Sequence, residues 1–265
     1  MSSTRIIARK VPEITVVFWV TKILTTALGE SASDYFVHVL GPIIAIAIGG
    51  SLFVVALVAQ FAVRRYIAGV YWFAIVMVSI FGTMVADALH VGAGVPYWVS
   101  SVGFAAILTL IFVGWRVTQK TLSIHSIAST PREFFYWGAV LATFALGTSL
   151  GDLTAYTFHL GVLLAGIMFV VIILLPLIAW WKFRLNAIFA FWFAYVTTRP
   201  LGASFADYGA ILPAHGGLGF GTGTMSLSLG IAVLACVIYL GIRQAMTAVT
   251  PKLRERAESV SGAAA

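Results

Sequence analysis

One short pattern occurs four times along the chain: an aromatic residue followed by Trp, nine residues, Gly, four residues, Asp. The copies are Phe18-Trp19…Gly29…Asp34, Tyr71-Trp72…Gly82…Asp87, Tyr136-Trp137…Gly147…Asp152 and Phe191-Trp192…Gly202…Asp207. A repeat at fixed spacing constrains a fold more than a single motif does. Each copy must form the same local unit, and neighbouring units must bury the same face.

Each copy lies in a long apolar stretch. Only 9% of the 265 residues are charged, 61% are hydrophobic, and mean hydropathy is +1.02. A soluble domain carries roughly 25% charged residues, so the chain reads as a multi-pass membrane protein. A helix crossing the hydrocarbon core needs about 20 mainly apolar residues. Eight such segments can be placed, at 13–34, 40–63, 67–90, 97–117, 133–156, 159–181, 185–207 and 224–244. They are too long and too continuous for barrel strands, which are about 10 residues and alternate in polarity. The expected fold is an all-α membrane protein. Its eight transmembrane helices form four parallel two-helix repeats at approximately 11–66, 67–120, 131–184 and 185–245, with a polar cytoplasmic tail over 246–265. An even number of spans per copy relates the copies by an axis along the membrane normal. Pseudo-fourfold or nested twofold symmetry follows.

The net charge of +7 is a topology signal, which excludes nucleic acid as a partner. Arg5, Arg9 and Lys10 precede the first span, and Arg64 and Arg65 follow the second. Arg116, Lys120 and Arg132 lie between the fourth and fifth, and Lys182 and Arg184 between the sixth and seventh. Arg243, Lys252, Arg254 and Arg256 follow the eighth. The opposite loops hold no Lys or Arg, so both termini are expected in the cytoplasm. Lys22 also argues against a cleaved secretory signal at the N-terminus. Cys236 is the single cysteine, so no disulfide or thiolate metal site forms within one chain.

The four copies, with "KILTTALGESASD" in the first, resemble a bacterial family of multi-pass inner-membrane proteins built from a short repeat of unknown function. The resemblance covers residues 11 to about 245. It implies the repeat architecture and a bacterial inner-membrane location, and it carries over no activity.

Function therefore rests on the residues. Glu13 and Glu133 are placed at helix starts, where a carboxylate meets the positive end of the dipole. Glu255 and Glu258 fall in the tail. The other five acids, Glu30, Asp34, Asp87, Asp152 and Asp207, all belong to the repeat. A carboxylate in hydrocarbon costs at least a few kcal/mol and normally faces a bundle interior or water, with a partner. Against these five stand two cations within spans, Lys22 and Arg199. Glu30 and Asp34 share a helix face at i, i+4, as do Arg199, Ala203 and Asp207. Lys22 and Arg199 occupy columns filled by Ile75, Val140 and Tyr195, and by Thr26, Ser79 and Phe144, in the other copies. Copies one and four are thus the polar pair, and a site between them is expected. Thr25, Thr26 and Thr198 are its supporting polar groups.

An excess of carboxylates suits a cation or protons, and hard oxygen donors suit Mg²⁺, Mn²⁺ or Ca²⁺. His38, His90, His159 and His215 follow their copy's Asp by three to eight residues and extend the donor set to softer divalent ions. The expectation is a transporter for a small divalent metal ion of Mn/Mg type, with proton coupling and that ion as the one bound species. The alternatives are an intramembrane redox, haem or other enzyme, and a receptor or scaffold without transport. The sequence leaves homo-oligomerisation open. Two readings of the four Asp also stay open: a direct ion site, or a C-terminal helix turn bonded to local backbone. Lys22 and Arg199 are expected to pair with a motif Asp. The glycines are expected to allow close helix packing, and the Trp column to pack on the neighbouring copy. Pro176 and Pro200 are expected to kink their helices. "GGLGFGTG" at 216–223 has no preceding strand, which removes a nucleotide-binding reading and leaves a flexible loop or half-span.

Overall fold

A computed structural model of the chain describes residues 9–263, and side chains over residues 9–247. Arg5 and the side chains of Lys252, Arg254, Glu255, Arg256 and Glu258 therefore lie outside the described residues. Eight α-helices are present among the described residues: α1 (Val16–Leu40), α2 (Pro42–Ala62), α3 (Ala68–Asp87), α4 (Tyr97–Gln119), α5 (Thr130–Asp152), α6 (Gly161–Phe183), α7 (Ala187–Ala210) and α8 (Gly221–Ala263). No strand occurs among them.

Local chemistry sets several boundaries. Thr15 caps α1 by accepting from the Phe18 N–H, and Asn186 caps α7 by accepting from those of Ile188 and Phe189. Between α1 and α2 the chain turns at Gly41, at φ +78°, a conformation that a Cβ disfavours, and Pro42 opens α2. Several helices run past their expected ends. α1 continues beyond Asp34 to Leu40, and α8 does not stop at 244 but runs to Ala263. α3 and α5 do end at their motif Asp, and each passes directly into a π-helical turn, Ala88–Gly92 and Leu153–Thr157. Such turns are rare and concentrate at functional positions.

Among the described residues six helices are long and apolar enough to cross a membrane: α2, α3 with its π turn, α4, α5 with its π turn, α6 and α8. α1 and α7 are 25 and 24 residues long but too polar to join that set. Most of their polar residues, Lys22, Glu30 and Arg199 among them, lie in the interior. α1, α3, α5 and α7 pack as a closed ring, each against the two inner helices beside it in chain order, with α7 closing on α1. The second helix of each copy lies outside and is handed to the next copy: α2 packs on α3, α4 on α5, α6 on α7 and α8 on α1. The outer helices expose Ile43, Val55, Leu110, Leu175, Trp181 and Leu227, the apolar surface a bilayer would cover.

The repeat columns lock this ring. Each aromatic residue meets the Trp of the next copy, with ring centroids 5.7 Å apart for Phe18–Trp72 and Tyr71–Trp137, 6.1 Å for Tyr136–Trp192, and 5.7 Å for Phe191–Trp19. The motif glycines repeat the rule. Gly29 abuts Ser79, Gly82 abuts Phe144, Gly147 abuts the Arg199 side chain, and Gly202 abuts Thr26. Every partner lies three residues before the glycine of the next copy. A Cβ at Gly29 or Gly202 would overlap a side chain and also press on backbone, of Ser79 and Ala27 respectively. Gly29→Ala and Gly202→Ala are thus expected to destabilise the protein by about 1–3 kcal/mol. Gly103→Ala, at a position with no neighbour within 4 Å, should be neutral or stabilising. Thermal melting of the detergent-purified variants checks the contrast.

Pro176 and Pro200 sit inside α6 and α7, which continue through them. The 216–223 stretch is neither free loop nor half-span. Leu218, Gly219 and Phe220 donate to the carbonyls of Tyr208, Ile211 and Gly209 at 2.7–3.0 Å, which pins the segment back on the end of α7 before α8 begins at Gly221.

Candidate functional site

Residues at four-residue steps share one face of a helix. On the inner helices these steps build layers. The series are Lys22, Thr26, Glu30, Asp34 on α1 and Ile75, Ser79, Thr83, Asp87 on α3. On α5 they are Val140, Phe144, Thr148, Asp152, and on α7 Tyr195, Arg199, Ala203, Asp207. Apart from the half-buried Asp residues, all are buried.

The Asp layer closes one end of the ring. The four Asp are not scattered on the periphery: Asp34 meets Asp207, and Asp87 meets Asp152. Two groups of donors stand out. Glu30, Asp34 and Asp207, from copies one and four, offer oxygens within 4.8 Å of one another. Asp87, His90 and Asp152, from copies two and three, do the same with a ring nitrogen included. The expected place between copies one and four is thus one half of a two-part site. Of the four candidate histidines only His90 takes part. His38, His159 and His215 are exposed and belong to neither group, because their helices or turns carry them outward.

One layer below, the Arg199 guanidinium fills the axis. Its Nη2 donates to Glu30 Oε2 at 2.5 Å, to Thr148 Oγ1 at 2.8 Å and to Thr83 Oγ1, and its Nη1 donates to the Thr26 carbonyl at 3.5 Å. One side chain from α7 therefore ties α1, α3 and α5 together. Its aliphatic stem crosses Gly147, where no larger residue fits. The expected partner was a motif Asp. The actual partner is Glu30, which occupies the layer that the guanidinium reaches.

Lys22 departs from expectation more sharply. It forms no ion pair with an Asp, and its Nζ has no hydrogen-bond partner. It lies 4.2 Å from the Phe144 ring centroid and 4.3 Å from that of Tyr195, one layer beneath Arg199 and two beneath the nearest motif carboxylate. The supporting threonines serve backbone. Thr25 donates to the Lys22 carbonyl at 2.8 Å and Thr198 to that of Tyr195 at 2.7 Å. Thr26 adds a bridge between helices, at 3.1 Å from the Thr198 carbonyl.

Two features escape sequence reasoning. Glu133, placed at a helix start, is wholly buried and accepts from Lys10 Nζ at 2.5 Å and Gln60 Nε2 at 3.1 Å. This second buried ion pair sits at the end opposite the Asp layer, beneath a hydrogen bond between the Tyr71 and Tyr136 hydroxyls. Nothing in the spacing of Lys10 and Glu133 signals it. Thr83 and Thr148 were also missed, yet they occupy the column of Glu30 and could have been found from the alignment of the copies.

No curated protein and no solved structure matches the chain. A repeat-family model does match it, four times in succession, over residues 17–66, 70–121, 135–186 and 190–245. These matches take in most of the inner ring and of the outer helices packed on it, and with them the chain belongs to the family described as a Repeat of Unknown Function (DUF347).

Proposed function

We propose that the protein transports a small cation across a membrane, a divalent metal ion of Mn/Mg type with protons as the coupling ion. In this reading all eight helices cross the bilayer, including the polar α1 and α7 shielded at the centre. Both termini are cytoplasmic and the membrane is the bacterial inner membrane. The basic loops support that orientation, since they lie at the end of the bundle opposite the Asp layer.

The observation that carries the reading is the gathering of five carboxylates in two donor groups at one end of a closed helical ring, with Glu30 paired to the single arginine there. Ionised together, the carboxylates leave a strong surplus of negative charge in a poorly solvated place. Such a surplus demands cations or protons. Oxygen donors within 4.8 Å of one another can close around a divalent ion with small side-chain movements. Arg199 forms the floor of this vestibule. An ion moving inward has to displace it from Glu30, which gives the site an inherent gate.

The test is Mn²⁺ and Mg²⁺ flux into proteoliposomes containing the purified protein. Asp34→Asn and Asp207→Asn are expected to abolish flux while leaving the melting temperature and elution volume near those of the parent. Normal flux in both variants would overturn the proposal.

A further inference from the structure

We propose that Asp87, His90 and Asp152 form a nitrogen-containing site selective for a first-row transition cation, with His90 Nδ1 as ligand. This rests on the transport reading and makes its cargo more specific. Hydrogen-bond bookkeeping around the imidazole supports it. His90 Nε2 lies 2.6 Å from Ser100 Oγ and 3.4 Å from Ser149 Oγ. Ser100 Oγ also lies 3.0 Å from the Tyr97 carbonyl, and Ser149 Oγ 3.1 Å from that of Ala145. With the hydroxyl hydrogens on those carbonyls, both serines accept from His90 and the ring hydrogen sits on Nε2.

That leaves a lone pair on Nδ1. The atom is buried and has no hydrogen-bond partner, yet it faces Asp152 Oδ2 at 3.6 Å. Two acceptors confront each other in a buried place, with the Asp87 carboxylate close by. A metal cation between them resolves the conflict, and so does a proton, which the test below tells apart. A separation of 3.6 Å is also what two ligands adopt when each stands about 2.1 Å from one ion at an open angle. The ring itself is held, edge-on to Tyr97 with centroids 4.4 Å apart. The Ser100 and Ser149 bonds are the outer contacts that fix tautomer and orientation in histidine metal sites. Two carboxylates and a neutral imidazole exactly balance a divalent charge, whereas the all-oxygen group around Glu30 already holds Arg199. The imidazole shifts preference from Mg²⁺ and Ca²⁺ toward Mn²⁺, Fe²⁺, Co²⁺ or Zn²⁺.

Co²⁺ added to the full-length, detergent-purified protein tests this. A visible d–d band is expected that tenfold excess Mg²⁺ does not remove. His90→Gln and Asp152→Asn should each weaken Co²⁺ binding by about 10–100-fold. Nitrogen-15 NMR of the imidazoles in the unsubstituted protein needs no variant. Metal-free His90 should be the neutral Nε2–H tautomer, and its Nδ1 signal should shift on adding Zn²⁺. Co²⁺ affinity unchanged in His90→Gln would overturn the proposal. So would an imidazolium at neutral pH whose signal ignores Zn²⁺, since a proton would then occupy the gap. Flux separates the two readings. Asp34- and Asp207-dependent transport with His90-independent binding sinks this site and leaves the transporter standing. His90-dependent binding without flux does the reverse.

Discussion

Arg199→Met is expected to destabilise the bundle by about 3–5 kcal/mol, the range for removing one partner of a buried ion pair. The loss is large because the substitution strands several groups at once. Glu30 keeps its charge inside the ring with no guanidinium opposite it, and Thr83 and Thr148 lose the donor that reached them from α7. Arg199→Lys should recover little of the loss. An ammonium is a single point on a flexible stem and cannot fork to three helices, as a planar guanidinium does. Glu30→Gln placed in the Arg199→Met background should recover a substantial part, because it removes the orphaned charge. A double-mutant cycle on thermal or denaturant unfolding measures this. Additive effects of the two substitutions would show that Glu30 and Arg199 are not coupled.

The parts of the molecule readable from the chain are those that recur. The aromatic, Trp and Gly columns recur four times, and each forms the same contact with the next copy around the ring, so column logic alone placed the inner helices side by side. Hydropathy worked for the outer helices, whose exposed faces are uniformly apolar. It leaves out α1 and α7, whose buried polar residues face other helices in the ring. What the chain concealed is the set of choices made where the copies differ. Arg199 and Lys22 each occur in one copy only, so no column says which neighbour they meet. Arg199 reaches one layer toward the carboxylates while Lys22 stays among aromatic rings, a difference set by side-chain length and by the space over Gly147. His90 was one of four equivalent candidates on spacing. The π turn after Asp87 brings it inward, and a register shift of that kind leaves no mark in residue composition. Lys10 and Glu133 lie 123 residues apart and meet only because the ring closes.

Lys22→Met is expected to raise stability, by about 1–4 kcal/mol, and to impair transport. An amine with no hydrogen-bond partner in a fully enclosed place is a cost to the fold in either protonation state. The Phe144 and Tyr195 rings return about 2 kcal/mol or somewhat more through cation–π attraction, against a desolvation cost of several kcal/mol for an enclosed charge. Arg199, the charged side chain in the adjacent layer, has the same sign. Methionine has nearly the length and volume of lysine and fits the aromatic box without a polar atom, and exchanging buried charge for a matched apolar residue commonly stabilises. The other copies carry Ile75, Val140 and Tyr195 at this position. In the proposed transport path a cationic Lys22 beneath Arg199 would repel an incoming ion unless its proton moved first, and ion passage would then be tied to proton movement. Melting temperature and proteoliposome flux, measured together on Lys22→Met, separate the two roles. A fall in melting temperature makes Lys22 a packing element, and a rise with unchanged flux removes it from the transport path.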